Sequence, residues 1–229
     1  MFYTYEELEK LAENINKKYF PDRLTALVPL DPYDLLEALG CEVEWKYISP
    51  DDSILGITFF DDGVWYIWPD GAFKEGDECV SEFFPRGTIV VNQCLTETRK
   101  KTARASEGFV IVHECAHWIK DQDYFRNQSE VGISQICKKN DFTSTFWNSG
   151  MGELQIIERQ TNYLAAAILM PRSVIVPEFF KSMRYKNIPS KPLKLKEFMK
   201  SHINTLAKKF GVNYNPLLYR LQDLGVIER

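Results

Sequence analysis

Histidine is scarce in this chain, three residues in 229, and so is any cysteine framework. The five cysteines (Cys41, Cys79, Cys94, Cys115, Cys137) are odd in number, irregularly spaced and without a CxxC pair, which argues against both a disulfide scaffold and a cysteine zinc site. They read as reduced thiols. No apolar run approaches the roughly 20 residues of a membrane span. The acidic start, Met1-Phe2-Tyr3-Thr4-Tyr5-Glu6-Glu7, leads into a helix without the pattern of a secretory signal. A cytoplasmic location and no membrane partner are therefore expected. Nothing repeats internally, no segment is of low complexity, and no linker divides the chain. With 45% hydrophobic and 14% aromatic residues, it is long enough to bury a sizeable core.

Net charge is small but unevenly placed. The formal value is -4, yet residues 181–229 hold eleven Lys or Arg against Glu197, Asp223 and Glu228, a balance of +8 that leaves -12 for residues 1–180. Lys181, Arg184, Lys186, Lys191, Lys194, Lys196 and Lys200 would suit an acidic partner or nucleic acid, although a solvated face is the plainer reading.

What the chain does have is His113-Glu114-Cys115-Ala116-His117. On a helix, four residues advance about 400°, so both imidazoles leave one face within about 40° of each other. Glu114 lies about 60° from His117, placed to reach a metal-bound water as a base rather than to serve as a ligand. The flanks Phe109 to Val112, Ala116, Trp118 and Ile119 are apolar nearly all round, so the helix is buried. Three ionisable groups in one buried turn are costly unless something satisfies them, and a metal ion with its water does so. A hydrolytic zinc site needs a third protein ligand and an open position. His202 is the remaining histidine, and Glu158 is the better-placed carboxylate. It borders a stripe of Leu154, Ile157, Thr161, Leu164, Ala165 and Ile168 at helical spacing, ended by Pro171. An ordinary solvated glutamate remains open at this point.

Three blocks together carry a resemblance. Gly87-Thr88-Ile89-Val90-Val91-Asn92, then Phe109 to His117, then Glu158-Arg159-Gln160-Thr161-Asn162-Tyr163-Leu164-Ala165-Ala166-Ala167-Ile168-Leu169-Met170-Pro171 resemble, in order and spacing, the ImmA/IrrE family of zinc metallopeptidases. It covers roughly residues 85 to 175 well and the flanks loosely. The resemblance implies that Glu158, four residues before Asn162, is the third zinc ligand. Two departures are the long loop from Asp121 to Gly150 and Cys115, a packing thiol where a small apolar residue is usual.

The expected fold class is α+β. Thr4 with Glu7 makes a capping box for a helix to about Tyr19, and Asp31-Pro32 opens a second, closed by Gly40. Glu42 to Ile48, Ile54 to Phe60, Val64 to Trp68 and Thr88 to Asn92 read as strands of one small sheet, the middle two joined by Asp61-Asp62-Gly63. An exposed strand edge near the zinc site would hold an extended peptide. At the end of the chain, Leu206 to Ile227 reads as helix, turn and helix, with Gly211 as cap and Asn215-Pro216 opening the last helix. With the resemblance, this implies a zincin-like metallopeptidase domain over residues 1–175. A basic, helix-turn-helix-like extension over 176–229 packs on it, with DNA contact the less expected use.

The implied activity is a zinc-dependent endopeptidase. His113, His117 and Glu158 hold Zn2+, Glu114 takes and returns the proton, and Tyr163, Arg104 and His202 are open sources for an oxyanion donor. The resemblance implies one cytosolic protein substrate, a helix-turn-helix repressor of the XRE type controlling mobile-element or stress genes. The alternatives are a non-proteolytic module that sequesters a repressor or DNA and uses zinc only for its fold, and, last, a hydrolase of some non-peptide bond.

Overall fold

Thr4 opens the first helix, α1 (Tyr5–Tyr19), by the expected reciprocal capping: its hydroxyl accepts from the Glu7 amide, and the Glu7 carboxylate accepts from the Thr4 amide. The computed structural model describes residues 2–49, 51–69, 78–97, 101–126, 134–138 and 152–229, with backbone alone at 101, 126 and 134–138. Most of the Asp121 to Gly150 loop lies outside the described residues. Helix α2 (Pro32–Leu39) ends at Gly40, whose φ of 67° is left-handed backbone that glycine adopts without strain.

Four strands make the main sheet: β1 (Glu42–Lys46), β2 (Ile54–Phe59), β5 (Thr88–Asn92) and β6 (Ser134–Lys138), in the order β1-β5-β2-β6. Strand β1 runs parallel to β5, and β2 is antiparallel to both β5 and β6. The segments β3 (Gly63–Ile67) and β4 (Val80–Phe84) pair apart from it as an antiparallel two-stranded sheet. This corrects the expectation of one sheet containing both β2 and β3. Burial explains the split, since β2 is buried along nearly its whole length while Val64 and Tyr66 of β3 are exposed. Strands β4 and β6 were not anticipated. Ile57, Phe59 and Val90 of the main sheet cluster with Ile67 of β3 and Phe84 of β4.

Helix α3 (Lys101–Lys120) packs on β2, β5 and α2 and is followed by α4 (Gln122–Arg126). The chain divides into two compact units. Pro32–Asn162, with the first two residues, form one, and Tyr3–Asp31 with Tyr163–Arg229 form the other. The helix α5 (Glu153–Leu169) supplies residues to both. Its expected apolar stripe is buried except for Leu154, which is exposed in the first turn.

The second unit also holds α6 (Arg172–Ser182), α7 (Glu197–Phe210) and α8 (Tyr214–Asp223). Gly211 caps α7 at φ 73°, as the sequence suggests, but α8 starts at Tyr214 and not at Pro216, because Asn213 already has the extended backbone of an N-cap. The architecture is mixed α+β. Among the described residues, no single helix is long and apolar enough to cross a membrane.

Candidate metal centre

Residues His113, His117 and Asp121 recur every four positions at the C-terminal end of α3, and Glu158, Thr161 and Asn162 share one face of α5 at spacings of three and four. The two faces meet inside the first unit. The Nε2 atoms of His113 and His117 lie 3.1 Å apart, and each is 3.2 Å from one oxygen of the Glu158 carboxylate. Both imidazoles are wholly buried, and Glu158 is 7% exposed. Among the described residues, this is the group of three His, Cys, Asp or Glu side chains able to share one ion.

The outer ring nitrogens are spoken for. His113 Nδ1 lies 3.0 Å from Asn162 Oδ1, and His117 Nδ1 lies 2.7 Å from Asp121 Oδ2 and 3.2 Å from the Thr161 hydroxyl. Asn162 Oδ1 and a carboxylate can only accept, so each Nδ1 carries a proton, and Nε2 is the atom that faces inward, offering a lone pair whenever its ring is neutral. Two Nε2 atoms at 3.1 Å cannot both bear hydrogen along the line between them. Lys120, buried beside them, donates to both Asp121 oxygens at 2.6 and 2.7 Å and to the Ile157 carbonyl at 3.4 Å.

Charge follows the same pattern. Burial alone would lower the His117 imidazole, but the Glu158 and Asp121 carboxylates outweigh it and push its pKa up to about 9. His113 is held below its ordinary value, by burial first and by the charge of His117 as well, so the pair accepts one proton more readily than two. Glu158, despite burial, stays far below the usual carboxylate range because both imidazoles face it. The cluster is built to receive positive charge between its three donors. A tetrahedral zinc with bonds of about 2.0–2.1 Å spaces its donors by about 3.3 Å. Separations of 3.1 and 3.2 Å fit that shell without rearrangement.

Glu114 leaves α3 on another side, toward β2. Its Oε2 accepts from the Thr58 hydroxyl at 2.6 Å, and both residues are fully buried. Of the three open oxyanion donors, Tyr163 is committed elsewhere, since its hydroxyl donates to Glu9 at 2.7 Å in the second unit. Arg104 is exposed on α3, and His202 lies on α7 beside a groove with Lys181, Ser201 and Thr205. His202 is not in the three-residue group.

Sequence reasoning overlooked Asp121, Thr161, Thr58 and Lys120, and used Asn162 only as a landmark. Asp121 had a signal, four residues beyond His117 and just past the end of α3. Thr58, 56 positions from Glu114, had none. Residues 152–222 match the model of a peptidase family described as the IrrE N-terminal-like domain. The match includes Glu158 and Asn162 and does not reach His113 to His117. No curated protein matches the chain.

Proposed function

We propose, for a chain whose residues 152–222 match the model of the IrrE N-terminal-like family of peptidases, a zinc-dependent endopeptidase that makes a limited cut in a cytosolic protein. One observation carries this reading: three buried donors from two helices converge within 3.2 Å with their outer atoms already occupied. His113, His117 and Glu158 are the ligands in this reading, with α3, α5 and the sheet as a zincin-like core and α7–α8 as a helix-turn-helix-like pair. A bound divalent zinc would supply Lewis acidity, acidifying water and polarising a carbonyl. Glu114 supplies the base, accepting the proton of the attacking water and handing it to the departing amine. Asn162 and Asp121 hold the imidazoles in the Nδ1–H tautomer. The substrate we propose is a helix-turn-helix repressor of the XRE type, in keeping with the resemblance of the sequence. The thiols Cys41, Cys79 and Cys115 are not in disulfides, which suits the cytoplasm.

The test is to load purified protein with zinc, incubate it with candidate repressors and compare Glu114→Gln. Cleavage by the wild type, with metal content kept and cleavage down by about a hundredfold or more in the variant, supports the peptidase. Full biological effect from Glu114→Gln without any cleavage would establish a sequestering protein instead.

A further inference from the structure

We infer that Gly56 and Thr58 of β2 form a seat that positions the Glu114 carboxylate, an inference that rests on the proposed role of Glu114 as base. The two residues are separated by one position on a strand, so they face the same side of the sheet, toward α3. Ile57 between them, with Phe59, joins the cluster that includes Ile67 and Phe84.

Gly56 acts by what it lacks. A Cβ built there would fall 2.9 Å from both Cγ and Cδ of Glu114 and closer still to Oε1. No side chain other than hydrogen leaves room for the carboxylate where it lies. Glycine weakens the interior of a strand, and its presence there marks the close approach of another group. Here that group is a buried, ionisable side chain.

Thr58 acts by its hydroxyl. Its Oγ1 is 2.6 Å from Glu114 Oε2 and 3.1 Å from the main-chain oxygen of the same residue, and with one proton it donates along the shorter line. A separation of 2.6 Å belongs to hydrogen bonds onto a charged oxygen, which are shorter and stronger than neutral ones. Such a donor offsets the cost of burying the ionised form. It also fixes Oε2, so that the carboxylate, backed by Gly56, turns little when a proton arrives or leaves. A base held in one position gains rate because its geometry is set before the reaction begins.

A packing role alone would be met by valine, which has the shape of threonine without its donor. We therefore compare Thr58→Val, Thr58→Ser and Gly56→Ala in the zinc-loaded protein. Thr58→Val is expected to lower kcat about 10–100-fold with KM changed less than roughly twofold. Zinc content and affinity should equal the wild type, and Thr58→Ser should restore most of the rate. Gly56→Ala, whose nearest contacts are Oε1, Cδ and Cγ of the Glu114 side chain, should lose a similar factor, with circular dichroism checking that the fold is kept. In a Glu114→Gln background, Thr58→Val should have little further effect, because both act on one group. An unchanged kcat in Thr58→Val overturns the seat, as does a loss that serine fails to restore or that tracks zinc loss.

A second readout separates the seat from the activity it serves. The carboxyl 13C resonance of Glu114, assigned by its absence in Glu114→Gln, should move in Thr58→Val and return in Thr58→Ser in metal-free protein. If wild-type protein cleaves nothing while that resonance responds, the seat stands and the hydrolytic reading falls. If wild type and Thr58→Val cleave alike and the resonance is unmoved, the seat alone falls.

Discussion

Helix α5 is involved in two buried polar clusters that are satisfied in opposite ways. Around its C-terminal end, within the second unit, two buried arginines donate to main-chain carbonyls and to neighbouring side chains. Arg23 donates to the carbonyls of Ile168 and Leu169 at 3.0 and 2.8 Å and to the side chain of Asn16, and Arg220 donates to Met170 at 3.2 Å and to both oxygens of Glu9. These are the orphan carbonyls that every helix end leaves over, met by cations of the sign the helix dipole favours. Around Glu158, within the first unit, the surplus runs the other way. The two Nε2 atoms and the Glu158 carboxylate face one another, and the Nδ1–H groups donate outward to Asn162 and Asp121. A polar cluster that closes on itself serves the fold, whereas one that converges on a single point awaits a ligand.

The strongest way to break that contrast is to remove a converging donor. Structural zinc sites bind with about 10–16 kcal/mol, so one ligand of three or four accounts for roughly 4 kcal/mol, about a thousandfold in affinity. His117→Ala should lose its metal to that degree in competition with a chromophoric chelator, while the rest of the fold persists by circular dichroism. The mirror experiment strikes the second cluster. Glu9→Gln leaves Arg220, whose side chain is wholly buried, without its counter-charge, and should cost about 3 kcal/mol in a urea melt. Zinc affinity should be unchanged in that variant. A loss of zinc affinity in Glu9→Gln would mean that the two clusters are coupled.

The contrast was only half legible in the sequence. His113, Glu114 and His117 announced themselves because helical spacing alone places them. Glu158 was ambiguous on periodicity, since a glutamate bordering an apolar stripe is as often solvated as buried, and the family resemblance was needed to single it out. The second cluster was invisible, because Glu9, Arg23 and Arg220 lie far apart in the chain and resemble ordinary surface charges. Strand β4 escaped for a local reason: Ser81 and Glu82 interrupt its apolar pattern, and only pairing with β3 makes it a strand. Capping signals at Thr4, Gly40 and Gly211 were read correctly, being chemistry confined to one turn.

A smaller effect is expected one bond away from the converging donors. Asp121→Ala removes the acceptor at 2.7 Å from His117 Nδ1 and leaves His113, His117 and Glu158 untouched. Zinc affinity should fall about 10–100-fold, the usual consequence of freeing a ligand imidazole to rotate. An affinity equal to that of His117→Ala would show that Asp121 is itself a ligand.

The smallest effect is on acid stability, and it separates the clusters by pH. Burial would raise the Glu9 carboxyl, but the hydrogen bonds and charge of Arg220, with the Tyr163 hydroxyl, outweigh it and hold Glu9 below its ordinary value of 4.5. A depressed acid stabilises the fold above its unfolded value, and that contribution is lost as pH falls through the lower, folded one. The second unit should therefore weaken below about pH 4.5, and Arg220→Met should flatten that decline by removing the cation that causes the shift. Metal-free protein removes the slope that zinc release would add. Glu158, also held low, contributes a decline common to wild type and Arg220→Met, so the difference between the two curves isolates Glu9. Stability curves of wild type and Arg220→Met that stay parallel between pH 5 and pH 3 would show that Glu9 is not responsible.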